Sequence, residues 1–286
     1  MYQKIYDIVK TNYLSIFGEA NAHMFADVFY IKCANRIAKL HVKSKVKIEK
    51  TAKYNLSTDN AGLYTKDKND VAFVVAGGSS LKDFDFSSLK DKTTFVSNKS
   101  IFDVPDADYF ITTDYTFLTF LKKTHRYDDW KNTTAEKYFV VNFMSDQIQR
   151  IDGQIVDVKN HLNYELQDID NIVICKSAKD VGFDFEHFNS GYNSGFCSLQ
   201  LALIMGYKKI YLLGVDLNCD GDDTHYHGGY GKSSFKMNQN LRGYGKHFIE
   251  VVKKLKRERP DIEIISCSKT SILNDFITYQ DIKEIL

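Results

Sequence analysis

Short apolar runs recur along the chain from residue 69 onward, and segments with helical spacing of apolar residues separate them. Each run is apolar at nearly every position, which is typical of strands buried on both faces of a parallel sheet. The pattern predicts seven strands, at residues 71–76, 94–97, 109–112, 138–142, 172–175, 209–213 and 262–267. Strands that alternate with helices predict an α/β fold with a doubly wound, mostly parallel Rossmann-like sheet.

The N-terminal part has a different pattern. Residues 1–45 carry apolar residues at helical spacing and predict two helices broken near Gly18, whereas residues 46–70 are rich in polar residues. We therefore expect two domains, a helical N-terminal appendage with its linker at 1–68 and an α/β domain at 69–286. The mixed polarity of the appendage leaves three roles open: a dimerisation arm, a contact with a membrane surface, or a lid over the sheet.

Composition narrows the class of protein. The 286 residues include 38 Lys and Arg against 37 Asp and Glu, so the chain has no net field that would attract nucleic acid. Its five cysteines are odd in number and form no CxxC pair, which favours reduced thiols over disulfides or a zinc site. The N-terminus lacks the apolar core of a signal peptide, and no apolar run reaches the roughly 18 residues of a membrane span. We expect a cytoplasmic protein, with attachment to the inner face of the membrane left open.

The turn after the first predicted strand is the strongest candidate for a phosphate site. Gly77, Gly78, Ser79 and Ser80 separate an apolar run from helix-forming sequence. They predict a tight turn and a helix N-terminus whose backbone N–H groups and dipole face an anion. The residues match neither GxGxxG nor GxxxxGK[ST]. A purely structural turn with an N-capping serine explains them about equally well.

Polar residues also follow several other predicted strands. Ligands of open α/β sheets bind beyond the carboxyl ends of the strands, where amides, carboxylates and N–H groups can meet phosphate, ribose and base. The candidates for nucleotide binding are therefore Gly77, Gly78, Ser79, Ser80, Asn98, Asp114, Asn193, Ser194, Gly195 and Asp216. The turn at 193–195 opens another predicted helix, for which Asn193 or Ser194 is equally suited as a purely structural N-cap.

The best candidates for acid–base chemistry lie in residues 216–229, DLNCDGDDTHYHGG. The opening imitates a calcium loop, but its twelfth position is His227 instead of glutamate, which disfavours calcium. His225 and His227 are two residues apart and would share one face of an extended segment. Three aspartates lie close by in sequence: Asp220, Asp222 and Asp223. This pattern predicts a metal site, a general base whose proton affinity an aspartate raises, or a solvated turn.

Two further features have mainly structural interpretations. The basic run at 253–259 closes a helix predicted from about Met237 to Pro260, and it predicts a solvated surface without a catalytic role. Tyr226, Tyr230 and Tyr244 are candidates for stacking on a ligand, although tyrosines at the edge of a core explain them as well.

Four motifs resemble a known family in order and approximate spacing. They are AGGSSL at 76–81, VSN at 96–98, NSG at 193–195 followed by GYKKIYLLGVDL, and THYHGG at 224–229. Over about residues 70–275 the chain resembles the bacterial sialyltransferases of glycosyltransferase family 42. The resemblance extends to a wider superfamily that includes 6-hydroxymethylpterin diphosphokinase-like and flagellar motility-associated glycosyltransferase proteins. It implies a GT-A-like variant of the Rossmann-like fold.

The resemblance also implies roles for individual residues. In those sialyltransferases the first glycine turn, the asparagine after the second strand and the S-G turn hold the CMP part of the donor. Their counterparts by position are Gly77, Gly78, Ser79, Asn98, Ser194 and Gly195. The family's base is the last histidine of an H-Y-x-G-H loop, and a literal alignment puts Gly229 there and His225 on the first histidine. The resemblance therefore leaves His227 or His225 as the base, with Tyr226 between them, or a different chemistry.

Four further positions depart from the family pattern. Gly191 stands where the family has an arginine, and Gly78–Ser79 stands where the family has Asn–Gly. Asp114 replaces an asparagine. An acidic residue at that position resembles the pattern of the diphosphokinase-like relatives. Those proteins use a metal-bound nucleoside triphosphate.

Our first hypothesis is an inverting glycosyltransferase that moves sialic acid or a related nonulosonic acid from a CMP-activated donor to a surface glycan, as in lipopolysaccharide biosynthesis. It needs a nucleotide-sugar donor and a glycan acceptor but no metal, and His227 or His225 is its base. The second is a Mg²⁺-dependent diphosphokinase, with Asp114, Asp216 or the aspartates at 220–223 on the metal. The third is a nucleotide-binding protein without catalysis. Nucleic acid is excluded as a partner, while peripheral membrane association and homo-oligomerisation stay open.

Overall fold

The computed structural model describes residues 70–142, 148–151, 154–157, 169–175, 182–185, 187–219, 225–227 and 234–286. The chain divides into two compact units. The larger comprises Tyr54–Val141 and Asp168–Leu286, and the smaller comprises Met1–Lys53 and Asn142–Gln167. The predicted appendage at 1–68 lies outside the described residues, so it stays a prediction.

The described part of the larger unit contains eight strands and four α-helices. Its strands are β1 Val71–Val75, β2 Thr94–Ser97, β3 Tyr109–Thr112, β4 Glu136–Asn142, β7 Asn171–Cys175, β8 Lys209–Leu213, β9 Glu263–Ser266 and β10 Thr278–Tyr279. Its α-helices are α1 Tyr115–Lys123, α2 Tyr127–Lys131, α3 Ser194–Ile204 and α4 Ser234–Glu258. In the smaller unit, β5 Ile148–Ile151 and β6 Gln154–Asp157 form an antiparallel hairpin.

The eight strands of the larger unit form one sheet in the order β10-β9-β8-β1-β2-β3-β4-β7. The pairs from β10 to β4 are all parallel. From β1 the chain builds the sheet outward through β2, β3 and β4, and it later returns to the other side of β1 with β8. The strand order therefore reverses at β1, which is where ligands of open α/β sheets bind.

This sheet confirms the predicted α/β fold. All seven predicted strands are present, and β2, β3 and β8 have the predicted bounds. The buried strands were predictable because they are apolar at nearly every position; β2 and β3 are buried throughout. The edge strand β10 was missed because both of its residues are exposed and give no apolar run.

Helix α3 forms the centre of the core. All eleven of its residues are buried, and it packs on β1, β2, β3 and β8. A helix that is apolar on all sides has to be buried. Because α3 begins at Ser194, its burial fixes the N-terminal turn of the helix at the carboxyl edge of the sheet.

The connection from β1 to β2 corrects one prediction. We expected residues 77–80 to open a helix, but the described connection contains only two short 3-10 helices, Ser79–Leu81 and Phe86–Leu89. Asp83 and Asp91 adopt left-handed backbone angles, with φ of 66° and 63°. Asp85 accepts a hydrogen bond from the backbone N–H of Ser87, and such local side-chain bonds compete with helix formation. The loop after β1 therefore has no α-helix dipole to offer to a phosphate.

Helix α4 follows its prediction more closely. It begins at Ser234, three residues before the expected start, and it ends at Glu258, before Pro260. The basic run at its end is mostly exposed, apart from the buried Leu255. No described helix combines the length and the apolar character that a membrane crossing requires.

Candidate functional site

Loops from β1, β2 and β3 meet the start of α3 at the carboxyl edge of the sheet. A Cβ atom on Gly195 would lie 3.2 Å from the Cβ of Ala76, so the first turn of α3 lies directly against the end of β1. The hydroxyl of Ser100, in the loop after β2, donates to the carbonyl of Ala76 at 3.2 Å. Most of the predicted nucleotide-binding residues are therefore neighbours in the structure.

A buried carboxylate fixes the glycine turn. Asp216 is only 1% exposed, and its oxygens accept hydrogen bonds from the backbone N–H of Ser80 at 2.9 Å and from the Ser80 hydroxyl at 2.5 Å. The Ser79 hydroxyl lies 3.5 Å from the same carboxylate. A buried anion is tolerated only when its oxygens are hydrogen-bonded, so Asp216 and the turn stabilise each other. The sequence predicted Asp216 as a nucleotide-binding residue. Its described hydrogen bonds hold the turn in place.

The same contacts limit what the turn can donate to a ligand. The N–H of Gly78 bonds to the carbonyl of Gly214 at 2.8 Å, and the N–H of Ser80 is used by Asp216. A cradle of free backbone N–H groups at residues 77–80, as predicted from sequence, is therefore incomplete.

Gly78 is required by the close approach of two oxygens. A Cβ atom there would lie 2.4 Å from the carbonyl oxygen of Gly214 and 2.5 Å from Oδ2 of Asp216. Both distances are well inside van der Waals contact. Any side chain at position 78 would therefore push the turn away from Asp216.

Asn98 is held by two hydroxyl groups. Its side-chain carbonyl oxygen accepts hydrogen bonds from Thr112 at 2.8 Å and from Ser194 at 3.4 Å. Those hydroxyls accept backbone N–H groups in turn, Thr112 from Asp114 at 3.0 Å and Ser194 from Thr113 at 3.1 Å. Each hydroxyl therefore uses its proton on Asn98, which fixes the orientation of the amide.

The fixed orientation leaves the side-chain NH₂ group of Asn98 as a donor for a ligand. Both side-chain hydrogen bonds that it makes to described residues use the carbonyl oxygen, so the NH₂ group can donate to a ligand. Asn98 also has a φ of 51°, a left-handed angle that asparagine tolerates better than most residues. The sequence indicated Asn98 and Ser194 as separate candidates, and in the structure their side chains are hydrogen-bonded.

Asn193 acts as the N-cap of α3. Its side-chain oxygen accepts the backbone N–H of Phe196 at 3.0 Å, which is the structural role that its position predicted. Just before it, Gly191 has a φ of 51°, and a Cβ atom there would lie 2.5 Å from the ring of Phe196. An arginine in place of Gly191 therefore does not fit this backbone.

A buried pair that the sequence did not predict shapes the loop before α3. The backbone N–H of Asn189 donates to the side chain of Gln200 at 3.1 Å, and the Gln200 amide donates back to the Asn189 carbonyl. The Asn189 side chain accepts the N–H of Gly191 at 2.9 Å. A glutamine in the middle of a mostly apolar helix was the available local signal.

Asp114, which follows β3, acts electrostatically on Tyr244. Burial, together with the negative charge of Asp114, raises the pKa of the Tyr244 phenol. The phenol therefore stays protonated over the physiological range. Tyr244 belongs to α4 and packs on the core, which is the structural alternative that the sequence left open.

The histidines lie directly over the glycine turn. The backbone N–H of Tyr226 donates to the carbonyl of Gly77 at 3.2 Å. A Cβ atom on Gly77 would lie 2.9 Å from Cδ2 of His225 and 3.3 Å from Nε2 of His227. The two imidazole rings stack, with centroids 5.1 Å apart and planes 19° apart. They share one side as predicted, although the segment is a turn and not an extended strand.

The predicted metal ligands are not all described. Asp220, Asp222, Asp223 and Gly229 lie outside the described residues, and so does Tyr230. Among the residues that the structure does describe, no group of three or more His, Cys, Asp or Glu side chains is arranged to hold a metal ion. The metal-site alternatives for this loop therefore stay predictions.

A cavity of about 370 Å³ lies away from this edge, between the C-terminal half of α4 and the strands β9 and β10. Apolar side chains such as Val252, Leu255 and Phe276 line it, together with Lys256 and Asn274. It contains none of the predicted site residues.

Solved structures that resemble this chain include sialyltransferases. The sialyltransferase CstII from Campylobacter jejuni in complex with the substrate analogue CMP-3FNeuAc is 19% identical, with 73% of this chain and 85% of that chain covered and a TM-score of 0.43. A variant of CST-II in complex with CMP is 18% identical, with coverages of 74% and 86% and a TM-score of 0.45. The alpha-2,3-sialyltransferase from Campylobacter jejuni in apo form is 16% identical, with coverages of 76% and 82% and a TM-score of 0.43. No protein-family model matches this sequence, and no curated protein matches it either.

Alanine should have opposite effects on the free energy of unfolding at Gly78, in the glycine turn, and at Gly243, in α4. Gly78→Ala should lower the free energy of unfolding by about 1–3 kcal/mol or more, because the new methyl group overlaps the Gly214 carbonyl and the Asp216 carboxylate. Gly243→Ala is the matched control: it lies inside α4 with no atom within 4 Å of the added Cβ, and it should raise stability by about 0.5–1 kcal/mol. Urea unfolding measures both. Wild-type stability of Gly78→Ala would contradict the close contact between the turn and Asp216.

Proposed function

We propose that this protein is a glycosyltransferase that uses a CMP-activated donor, sialic acid or a related nonulosonic acid, and transfers the sugar to a surface glycan with inversion. The observation that carries the proposal is the placement of His225 and His227 over Gly77, on the same edge of the sheet as the oriented amide of Asn98. The amide of Asn98 supplies a nucleotide contact, and one of the two histidines supplies the base.

Nucleotide recognition is assigned to side chains in this proposal. The NH₂ group of Asn98 donates to an acceptor atom of the CMP moiety, and its geometry is fixed in advance by Thr112 and Ser194. Pre-orientation lowers the entropy cost of binding. The motif resemblance assigns the same part of the donor to Asn98 and to the turn at 193–195.

The histidines are assigned the proton transfer. A neutral imidazole of His225 or His227 takes the proton of the acceptor hydroxyl while that oxygen attacks the anomeric carbon. The bond from the anomeric carbon to the phosphate oxygen breaks, and CMP leaves with the electron pair. Hydroxyl and N–H donors at the edge of the sheet stabilise the phosphate, and the reaction requires neither a metal nor another cofactor.

The noncatalytic alternative also has an observation in its favour. Backbone N–H groups of Gly78 and Ser80 are bonded within the protein, and Gly229 stands where the motif's base is expected. A protein that binds a nucleotide without turning over a sugar would show the same features. Donor turnover separates the two functions.

Ligand-dependent thermal stability tests the proposed donor class. CMP at about 100 times its dissociation constant should stabilise the protein by roughly 2.7 kcal/mol, a shift of a few degrees in Tm, and EDTA should not change the shift. UMP, GMP and AMP are the controls for the base. Stabilisation by ATP that requires Mg²⁺, with none by CMP, would contradict the proposal and favour the diphosphokinase.

Asn98→Asp replaces the NH₂ donor of the amide with a negatively charged acceptor. The variant keeps oxygen acceptors for the Thr112 and Ser194 hydroxyls but loses the NH₂ group, so CMP affinity should fall by about 1–3 kcal/mol with little change in Tm. Asn132→Asp makes the same chemical change at an exposed position and should leave the affinity unchanged. Titration calorimetry measures both. Equal affinities of the two variants would remove Asn98 from the nucleotide site.

Replacing both histidines tests the base. His225→Asn combined with His227→Asn should slow CMP release from CMP-sialic acid by roughly a hundredfold or more, because asparagine cannot take a proton at neutral pH. CMP affinity should stay within about twofold, and the exposed His125→Asn variant is the control. A wild-type rate in the double variant would exclude both histidines as the base.

A further inference from the structure

A short 3-10 helix after β2 connects the two halves of the site. The helix Asn98–Phe102 begins with the residue assigned to nucleotide binding, and Asp103 forms its C-cap with an N–H bond to the carbonyl of Ser100. The Ser100 hydroxyl bonds to Ala76 at the end of β1. This helix is therefore anchored to the sheet, and its far end carries an exposed carboxylate.

That carboxylate reaches the histidine segment. Oδ2 of Asp103 accepts a hydrogen bond from the phenol of Tyr226 at 2.6 Å, although the two residues are 123 positions apart in sequence. A bond to an ionised carboxylate is shorter and stronger than one between neutral groups. Tyr226 stands between the two histidines that are candidates for the base.

The ring of Tyr226 also packs against two other rings, those of Phe86 and His227. Its ring packs on Phe86 with centroids 5.3 Å apart, and it meets the ring of His227 edge-on at 5.1 Å. Its backbone N–H bonds to Gly77. The position of the His227 imidazole therefore depends on where the Tyr226 ring is held, and the phenol end of that ring is held by Asp103.

We propose that Asp103 is a positioning residue for the histidine pair, acting through the Tyr226 phenol. The role of the pair as a base rests on the proposed function, whereas the anchoring itself does not. The described side-chain hydrogen bond of Asp103 goes to the Tyr226 phenol, and it fixes the ring that packs against His227. Transfer of a proton requires an imidazole held close to its target, and a displacement of about 1 Å at such a site can cost about a hundredfold in rate.

Chemical modification of histidine tests the anchoring without any assay of activity. The rate of diethylpyrocarbonate modification at His225 and His227, measured by peptide mass spectrometry, should rise about fivefold or more in Asp103→Ala and in Tyr226→Phe, because the segment loses one attachment and opens more often. Asp103→Asn keeps an oxygen acceptor and should lie in between. Asp106→Asn, an exposed aspartate in the same β2–β3 connection, should match the wild type. Unchanged rates in Asp103→Ala and Tyr226→Phe would overturn the proposal.

The kinetic measurement separates positioning from general destabilisation. Asp103→Ala and Tyr226→Phe should each lower kcat for CMP release from CMP-sialic acid about tenfold or more while the CMP dissociation constant stays within about twofold. The double variant should be no slower than the slower single variant, since both changes remove the same contact. Multiplicative losses, or a loss of CMP binding, would overturn the proposal.

The two measurements also distinguish a failure of this inference from a failure of the proposed function. If the wild type releases no CMP from the donor, the transferase function fails and histidine modification alone decides the anchoring. If the wild type is active and the modification rates do not respond to Asp103→Ala or Tyr226→Phe, the anchoring fails and the transferase function stands.

Discussion

The buried carboxylate of Asp216 is the contact on which the candidate site depends. It follows β8 in the chain but bonds to Ser80 after β1, so it joins neighbouring strands that are far apart in sequence. A buried anion without hydrogen bonds would be strongly unfavourable, and these bonds form only because Gly78 has no side chain. The loop after β1 is thereby held in one conformation. Its Gly77 carbonyl then points where the backbone of Tyr226 can bind it.

The reversal of strand order at β1 explains why so many polar groups meet at one edge. The loops after β1, β2 and β3 and the start of α3 all arrive there, and each is fixed by a bond to another loop. Hydroxyl groups of Thr112 and Ser194 connect backbone N–H groups to the Asn98 amide. Several backbone donors are used within the protein, so side chains are prominent among the groups left for a ligand. Those side chains are an amide on one side of β1 and two imidazoles over its end.

The sequence predicted the sheet well because buried parallel strands are apolar at nearly every position, as β2 and β3 show. It also predicted Asn98 and Ser194 as candidates, since one follows a strand and the other opens a helix, and it predicted the histidines from their spacing and the nearby aspartates. It failed on the connection after β1, where an apolar run followed by glycines suggested a helix. Local bonds such as that of Asp85 to Ser87 instead produce short 3-10 helices. The pair Asp103–Tyr226 had no local signal, and the pair Asn189–Gln200 had only a glutamine inside a mostly apolar helix.

The sequence by itself therefore determined the elements and the polar residues at the ends of the strands, because apolar periodicity and turn residues act over a few positions. Only the tertiary structure decided the partners of those residues. Asp216 became a support of the turn, and Asp103 came to hold Tyr226. Such contacts depend on which loops the sheet brings together, and residues separated by 100 or more positions carry no periodic signal of their later contact.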